Sequence, residues 1–238
     1  MKAFMLASMR TRKAKTAAAR RPAKKSSKKT ASQPRRDIDL RSALLQATEQ
    51  ILIEQGLDKF TLREAARRSG VSHGAPAFHF GDSAGLLTAY AAEGFNAMTN
   101  LMLRYRSEAK RDHQSQLVAV GLAYVDYAIH NRSSFQLMFR SDRLKTEDLY
   151  FKEASKRAFT QLREVVTPFF AQGNTGEQDH SIRLLWAWSL VHGFATLVLE
   201  GQLTHFPGGT AAAHVAHQWG STLLERFVAG WSHEARKA

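Results

Sequence analysis

The 238-residue chain contains no cysteine. Disulfides, thiolate nucleophiles and cysteine-ligated zinc are therefore excluded, and this usage fits a reducing compartment. No apolar run reaches the length of a membrane span. The opening Met1–Ala7 is too short and too quickly basic to be a secretory signal, and Met5 and Met9 offer alternative starts. Glycine-rich phosphate loops, nucleophile elbows and paired carboxylates suited to acid–base work are missing too. Ten histidines are present. His214 and His217 sit three apart, but no glutamate-flanked pair of the metalloprotease kind occurs, and zinc needs three or four converging ligands. The sequence therefore predicts no catalytic residue, no metal and no cofactor.

Acidic residues are absent from one region altogether. Residues 1–36 hold thirteen Lys or Arg and no Asp or Glu, which leaves twenty-one of each sign in the rest of the chain. The whole formal charge of +13 thus resides in this segment. Nothing in it is apolar with a period, so it reads as a disordered basic arm. Two roles are open for it: a solvated tail, or a polycation lying along nucleic-acid phosphate.

What is present is helical periodicity. The chain is organised around residues 61–80. Thr61 and Glu64 have the spacing of a capping box. Leu62, Ala65, Ala66 and Ser69 form one small apolar face. Arg63, Arg67 and Arg68 occupy the other side, and Gly70 suits a left-handed helix end. Ser72 is a candidate N-cap for a second short helix running to about His79. Pro76 is compatible with that helix only within its first turn. Two short helices joined by a glycine-containing turn read as a helix-turn-helix, whose second helix enters the DNA major groove.

Around this motif the periodicity predicts an all-α chain. A first helix runs from Asp37 or Asp39 to Gln55, ended by Gly56. Asp82 caps a long helix towards Ser107, and Arg104–Asp112 is a polar break. Further helices follow from Gln114, over Thr146–Phe170 with Pro168 kinking or ending it, over Ser181–Leu199, and from Val215 to Val228. Gly173–Gly176 and Pro207–Gly209 read as a loop and a turn. The predicted organisation is a basic arm (1–36), a three-helix DNA-binding domain (37–98) and a helical regulatory and dimerisation domain (99–238).

The ordered set of motifs over residues 38–98 resembles the tetracycline-repressor (TetR) family of bacterial transcriptional regulators. Trp188-Ser189-Leu190-Val191-His192-Gly193 resembles the signature of its WHG C-terminal subtype. By this resemblance Thr61 and Arg63 would meet phosphate. Ser72, as the cap, His73, Gly74, Ala75 and Phe78 would present the second helix to the major groove, and His79 would reach the backbone. The family usually has an aromatic residue at the place of Ala77 and lysine at that of Ser83. The resemblance also implies a small-molecule effector held among the regulatory helices, with Tyr124, Phe135, Met138 and Trp186 as candidate contacts; Tyr127, Phe139 and Phe159 belong to the same apolar set. It implies a homodimer through the last two helices, with Trp188, His192, Trp219, Leu223 and Phe227 at the contact. His192 also reads as a hydrogen bonder under helix packing. Small tilts of the long helix after Asp82 would change the spacing of the two recognition helices. The partners implied are double-stranded DNA, the effector and a second copy of the chain, with no membrane. The expected place is the bacterial cytoplasm, and the nucleoid when bound to DNA. The alternative function is a ligand-binding or interaction protein of the same fold with little sequence-specific DNA binding.

Overall fold

The computed structural model describes residues 33–169, 177–210 and 213–234. Every regular element among them is helical. Residues 1–32 and 170–176, and with them most of the basic arm and the Gly173–Gly176 segment, lie outside the described residues.

The first helix, α1, spans Gln33–Gln55. It starts four residues before the expected Asp37, so Gln33–Arg36 belong to a helix and not to the arm. Pro34 is no obstacle, because amides in a first turn lack helical partners anyway. Leu44, Thr48, Ile51 and Leu52 are its buried stripe. Gly56, at φ 80°, ends it and lets the chain fold back to Phe60.

α2 spans Leu62–Ser69 and α3 spans Ala75–Phe80. Their buried side, Ala65, Ala66 and Pro76, is small and lets α2 sit close to α1, and α3 close to α4, which spans Ser83–Glu108. The Asp82 side chain caps α4 by accepting from Gly85 N at 2.8 Å. This helix is the spine of the molecule. Leu86 and Leu87 pack in the N-terminal domain, while Met98 and Met102 face the helices that follow, and one continuous apolar core runs through both regions. The predicted boundary at residue 98 therefore falls inside a helix.

Beyond the break come α5 (His113–His130), α6 (Arg132–Met138), α7 (Leu149–Val166), α8 (Glu177–Leu199) and α9 (Ala213–Glu234). Asp112 and Asp148 cap α5 and α7 by accepting amide hydrogens. α7 begins later than the expected Thr146. It ends in a short 3-10 turn, Thr167–Phe169, at Pro168, which has no amide hydrogen to continue the helical ladder. Where α4 crosses α6, a Cβ on Gly94 would lie 2.4 Å from Ser134 Oγ, so only glycine permits the approach.

α8 corrects one expectation. Over His180–Leu199 it is long and apolar enough, by length and composition, to cross a membrane, and one third of that window is buried in the fold. The unexpected feature is a stripe of exposed apolar side chains: Ile182 (56% exposed), Leu185 (58%), Trp186 (49%) and Leu197 (42%). Its opposite side, with Leu184, Ala187, Val191 and Ala195, is buried in the core.

Candidate nucleic-acid interface and regulatory cavity

α2 and α3 meet through a turn closed by Gly70, at φ 68°, and by Val71 N donating to Ala66 O at 3.1 Å. Thr61 Oγ1 accepts from Glu64 N at 3.2 Å, which is half of the predicted capping box. The other half does not form. The Glu64 carboxylate is taken by Arg67 (2.7 Å) and Arg68 (2.8 Å), and Arg68 also reaches Glu54. The guanidinium groups of Arg67 and Arg68 hold its carboxyl down at about 2, against an ordinary 4.5.

The expected cap at Ser72 is corrected to Gly74. Ser72 contributes only its carbonyl, which accepts from Ala75 N at 3.0 Å. The shift follows from Pro76. It has no amide hydrogen to offer, so the helix begins immediately before it, at Ala75. The side chain of Pro76 is buried.

Thr61, Arg63, Ser72, His73, Gly74, Phe78 and His79 are all exposed, while Ala75 is partly covered. Phe78 is 86% exposed and rests edge-on against His79, with ring centroids 5.2 Å apart. A phenyl ring so fully in water at the second helix of a helix-turn-helix is available to touch thymine methyls. Arg63 makes no ion pair among the described residues, so its charge is open to phosphate.

A second feature lies in the regulatory half. Side chains from α4, α5, α7, α8 and α9 surround a cavity of about 500 Å³, well within the range of small-molecule sites. Phe95, Met98, Met102, Val120, Val191 and Leu224 supply much of its apolar wall. Of the four predicted ligand contacts, Tyr124 and Met138 line it. Phe135 stands behind, edge-on to Tyr124 at 5.4 Å, and faces a separate groove beside the end of α1. Trp186 lies on the outer side of α8, edge-on to Phe227. Phe139 and Phe159 do line the cavity. The cavity walls on α4, and Lys156 at the rim, carry no signal in the sequence: methionine and phenylalanine at helical spacing look like plain core, and nothing local marks a surface lysine.

The five predicted contact residues of α8 and α9 are engaged within the subunit. His192 Nδ1 is 2.7 Å from the Tyr124 hydroxyl, and Trp188 Nε1 donates to the same oxygen at 3.4 Å. His192 also packs against Phe139, at 4.7 Å between rings. Burial lowers the His192 pKa and raises that of Tyr124. Trp219 and Leu223 pack on a small cluster with Phe194 and Leu203, and Phe227 lines the cavity. The surface of α8 open to another molecule is the Ile182, Leu185, Leu197 stripe.

The segment between α6 and α7, residues 139–148, joins the two features. Ser141, Leu144 and Thr146 line the cavity. The residues between them hold the helix-turn-helix domain. Arg143 bonds Asp58 at 3.1 Å and the Leu57 carbonyl at 3.3 Å. Lys145 pairs with Asp82 at 2.9 Å through its side chain and donates its amide to Thr88 Oγ1 at 2.8 Å. At the other end of α4, the buried Asp126 accepts from the Tyr105 hydroxyl and lies 2.9 Å from His217 Nδ1, so α4, α5 and α9 meet there.

Comparison with known proteins agrees with this layout. Residues 44–90 match the family described as "Bacterial regulatory proteins, tetR family", and residues 117–218 match "Tetracyclin repressor-like, C-terminal domain". Over 80 residues the chain is 35% identical to the HTH-type transcriptional regulator BetI of Stenotrophomonas maltophilia (strain R551-3), covering 34% of this chain and 41% of that protein. The chain thus spans about two fifths of the length of the curated relatives it matches. A protein with unknown function from Rhodococcus sp. RHA1 has a similar structure, with TM-score 0.64 and 32% identity over 79% of this chain and 94% of that one. The TetR family regulator PfmR from Thermus thermophilus shares the fold, with TM-score 0.56 and 18% identity over 77% and 95% of the two chains. Two separate matches in the family's own order, on a helix-turn-helix followed by a helical domain, place this chain in the tetR family of bacterial regulatory proteins.

Proposed function

We propose that the protein is a DNA-binding transcriptional regulator, a repressor in its ligand-free form, that works as a homodimer and is released from a near-palindromic operator by a small molecule in the cavity. One observation carries this reading. In residues 139–148 the side chains that line the cavity alternate with those that hold the helix-turn-helix domain. A ligand that moves Ser141, Leu144 or Thr146 necessarily acts on Arg143 and Lys145. Its effect on DNA affinity equals its differential affinity for the two arrangements. Thr61 and Arg63 are assigned to phosphate, and His73, Gly74, Ala75 and Phe78 to the groove. The family is one of regulators and not of enzymes. The cytoplasm, and the nucleoid in the bound state, are the places this function requires.

The dimer is assigned to the outer stripe of α8, with Ile182, Leu185, Trp186 and Leu197 from each copy, and not to Trp188 or His192. An apolar stripe of this size in water calls for a partner, and a two-fold contact buries the same stripe from both copies. For the WHG subtype, the support is that Trp188 and His192 converge on one hydroxyl, that of Tyr124. A second reading, a ligand-binding protein of this fold with little sequence-specific DNA binding, is favoured by α3 itself. Ala75–Phe80 contains no lysine or arginine, and Ala77 and Ser83 stand where the family usually has phosphate contacts.

The deciding experiment is a footprint of the purified protein on DNA from upstream of its own gene, against scrambled DNA, at near-physiological salt. A protected near-palindrome supports the repressor reading. Equal, salt-sensitive binding to both DNAs would favour the second.

A further inference from the structure

From the chemistry of the cavity rim we infer the class of ligand: an apolar molecule carrying one carboxylate at its end, with the tail among the helices and the head at Lys156. The inference rests on the cavity being a ligand site, as proposed above. The polar groups of the lining are unevenly distributed. Apart from the Tyr124 hydroxyl, which is engaged with His192, and the Trp188 Nε1–H, which donates to that hydroxyl, they are Ser141, Thr146, Ser155 and Lys156, all on α7 or the segment before it. The walls from α4, α5, α8 and α9 are otherwise apolar. Among the described residues the lining includes no aspartate or glutamate, and Lys156 is its one charged residue.

The state of Lys156 distinguishes it from its neighbours. Lys152, one turn earlier on α7, is paired with Glu147, and Lys145 with Asp82. Lys156 has no carboxylate within ion-pair distance among the described residues, although it lies at the mouth of an apolar chamber. A cationic ligand would meet an ammonium with no compensating acid. A neutral apolar ligand would fill the chamber and leave that ammonium as it is. An amphipathic anion satisfies both parts: its tail takes the apolar wall, and its head gains a charge-assisted bond from Lys156. The Ser141 and Thr146 hydroxyls are in the same part of the lining, whereas the Ser155 hydroxyl already donates to the Lys152 carbonyl. Met98, Met102 and Met138 suit a flexible chain, because thioether side chains adapt their shape. The head would also lie against the segment that grips the helix-turn-helix domain.

The test is calorimetric titration of the full-length protein with decanoate, 1-decanol and decylamine. It is run on the wild type, on Lys156→Gln and on Lys152→Gln as the neighbouring control. Decanoate is expected to bind at one per subunit, about fivefold more tightly than 1-decanol, the upper range for an exposed ion pair, with decylamine weakest. Lys156→Gln should abolish the preference for decanoate while leaving 1-decanol unchanged, and Lys152→Gln should keep it. Equal binding of acid and alcohol, or a preference that survives in Lys156→Gln, overturns the ligand class and leaves the cavity reading standing. Failure of all three probes to bind overturns the ligand class and counts against the cavity reading as well. Thermal melts of the variants confirm folding, since both positions are exposed.

Discussion

At the start of α2 a single carboxylate is claimed by two guanidinium groups. With the Glu64 carboxyl held down to about 2 from 4.5, its pairs stabilise the fold fully above the ordinary value. That contribution is lost as pH falls through about 2. The melting temperature of Glu64→Gln should therefore lie below that of the wild type at neutral pH, and the gap should narrow across the window from 4.5 down to 2. A gap that stays constant with pH would show that the pairs are not the cause. Gly94 makes a second prediction. A methyl there meets Ser134 Oγ, Met138 Sδ and the Tyr127 hydroxyl, so Gly94→Ala should destabilise by roughly 1–3 kcal/mol, as overpacking does. Chemical denaturation measures it. At this scale the legible features are local ones. Thr61 and Asp82 announce their caps because a cap needs only its own next three residues. Lys156 cannot be placed from sequence, because its role depends on what other helices bring to it. His192 reads from sequence as a hydrogen bonder under helix packing, but its partner, Tyr124 on another helix, does not. On α8, apolar on most sides, periodicity cannot say which side faces in.

In the proposed mechanism the segment between α6 and α7 links cavity and DNA-binding domain, and from sequence it reads only as a gap between helices. Its alternation matters only once cavity and DNA-binding domain flank it. Replacing Arg143 and Lys145 together by alanine should leave ligand affinity within about threefold, since neither side chain lines the cavity and surface ion pairs are worth at most about 1 kcal/mol. Ligand should then release operator DNA much less effectively. Fluorescence anisotropy of labelled operator, with and without ligand, reads this directly. Full release in the double variant would mean that coupling runs through another path. The order of the helices is legible from spacing and from acidic caps, except that the short α6, Arg132–Met138, is not read as a helix from sequence. Their ends are less so: α1 extends back past Asp37, and α3 begins at Ala75, because proline tolerance in a first turn permits several registers.

For the whole molecule, the outer stripe of α8 predicts assembly. Leu185→Glu with Leu197→Glu should give monomers in sedimentation velocity, while Trp188→Phe should leave the dimer intact because that ring faces inwards. A dimer surviving the double substitution would place the contact elsewhere. Eleven of the chain's Lys and Arg residues lie in residues 1–32. If they meet phosphate, deleting that segment should reduce the slope of log affinity on log salt by about 0.9 for each phosphate no longer neutralised. An unchanged slope would make it a solvated tail. The two ends of α4 are held very differently. Near Glu108, Tyr105 is tied to Asp126, and Arg106 bonds Gln116, Gln161 and Glu164. Near Ser83 the grip is chiefly that of Lys145, on Asp82 and Thr88. α4 is thus a lever with a fixed fulcrum and a latched free end. A swing of about 5° about Arg106 carries Ser83 by roughly 3 Å, close to the ~3.4 Å step between base pairs. Under the proposed function, the latch then need only open slightly for the second helix of the motif to fall out of register with the groove.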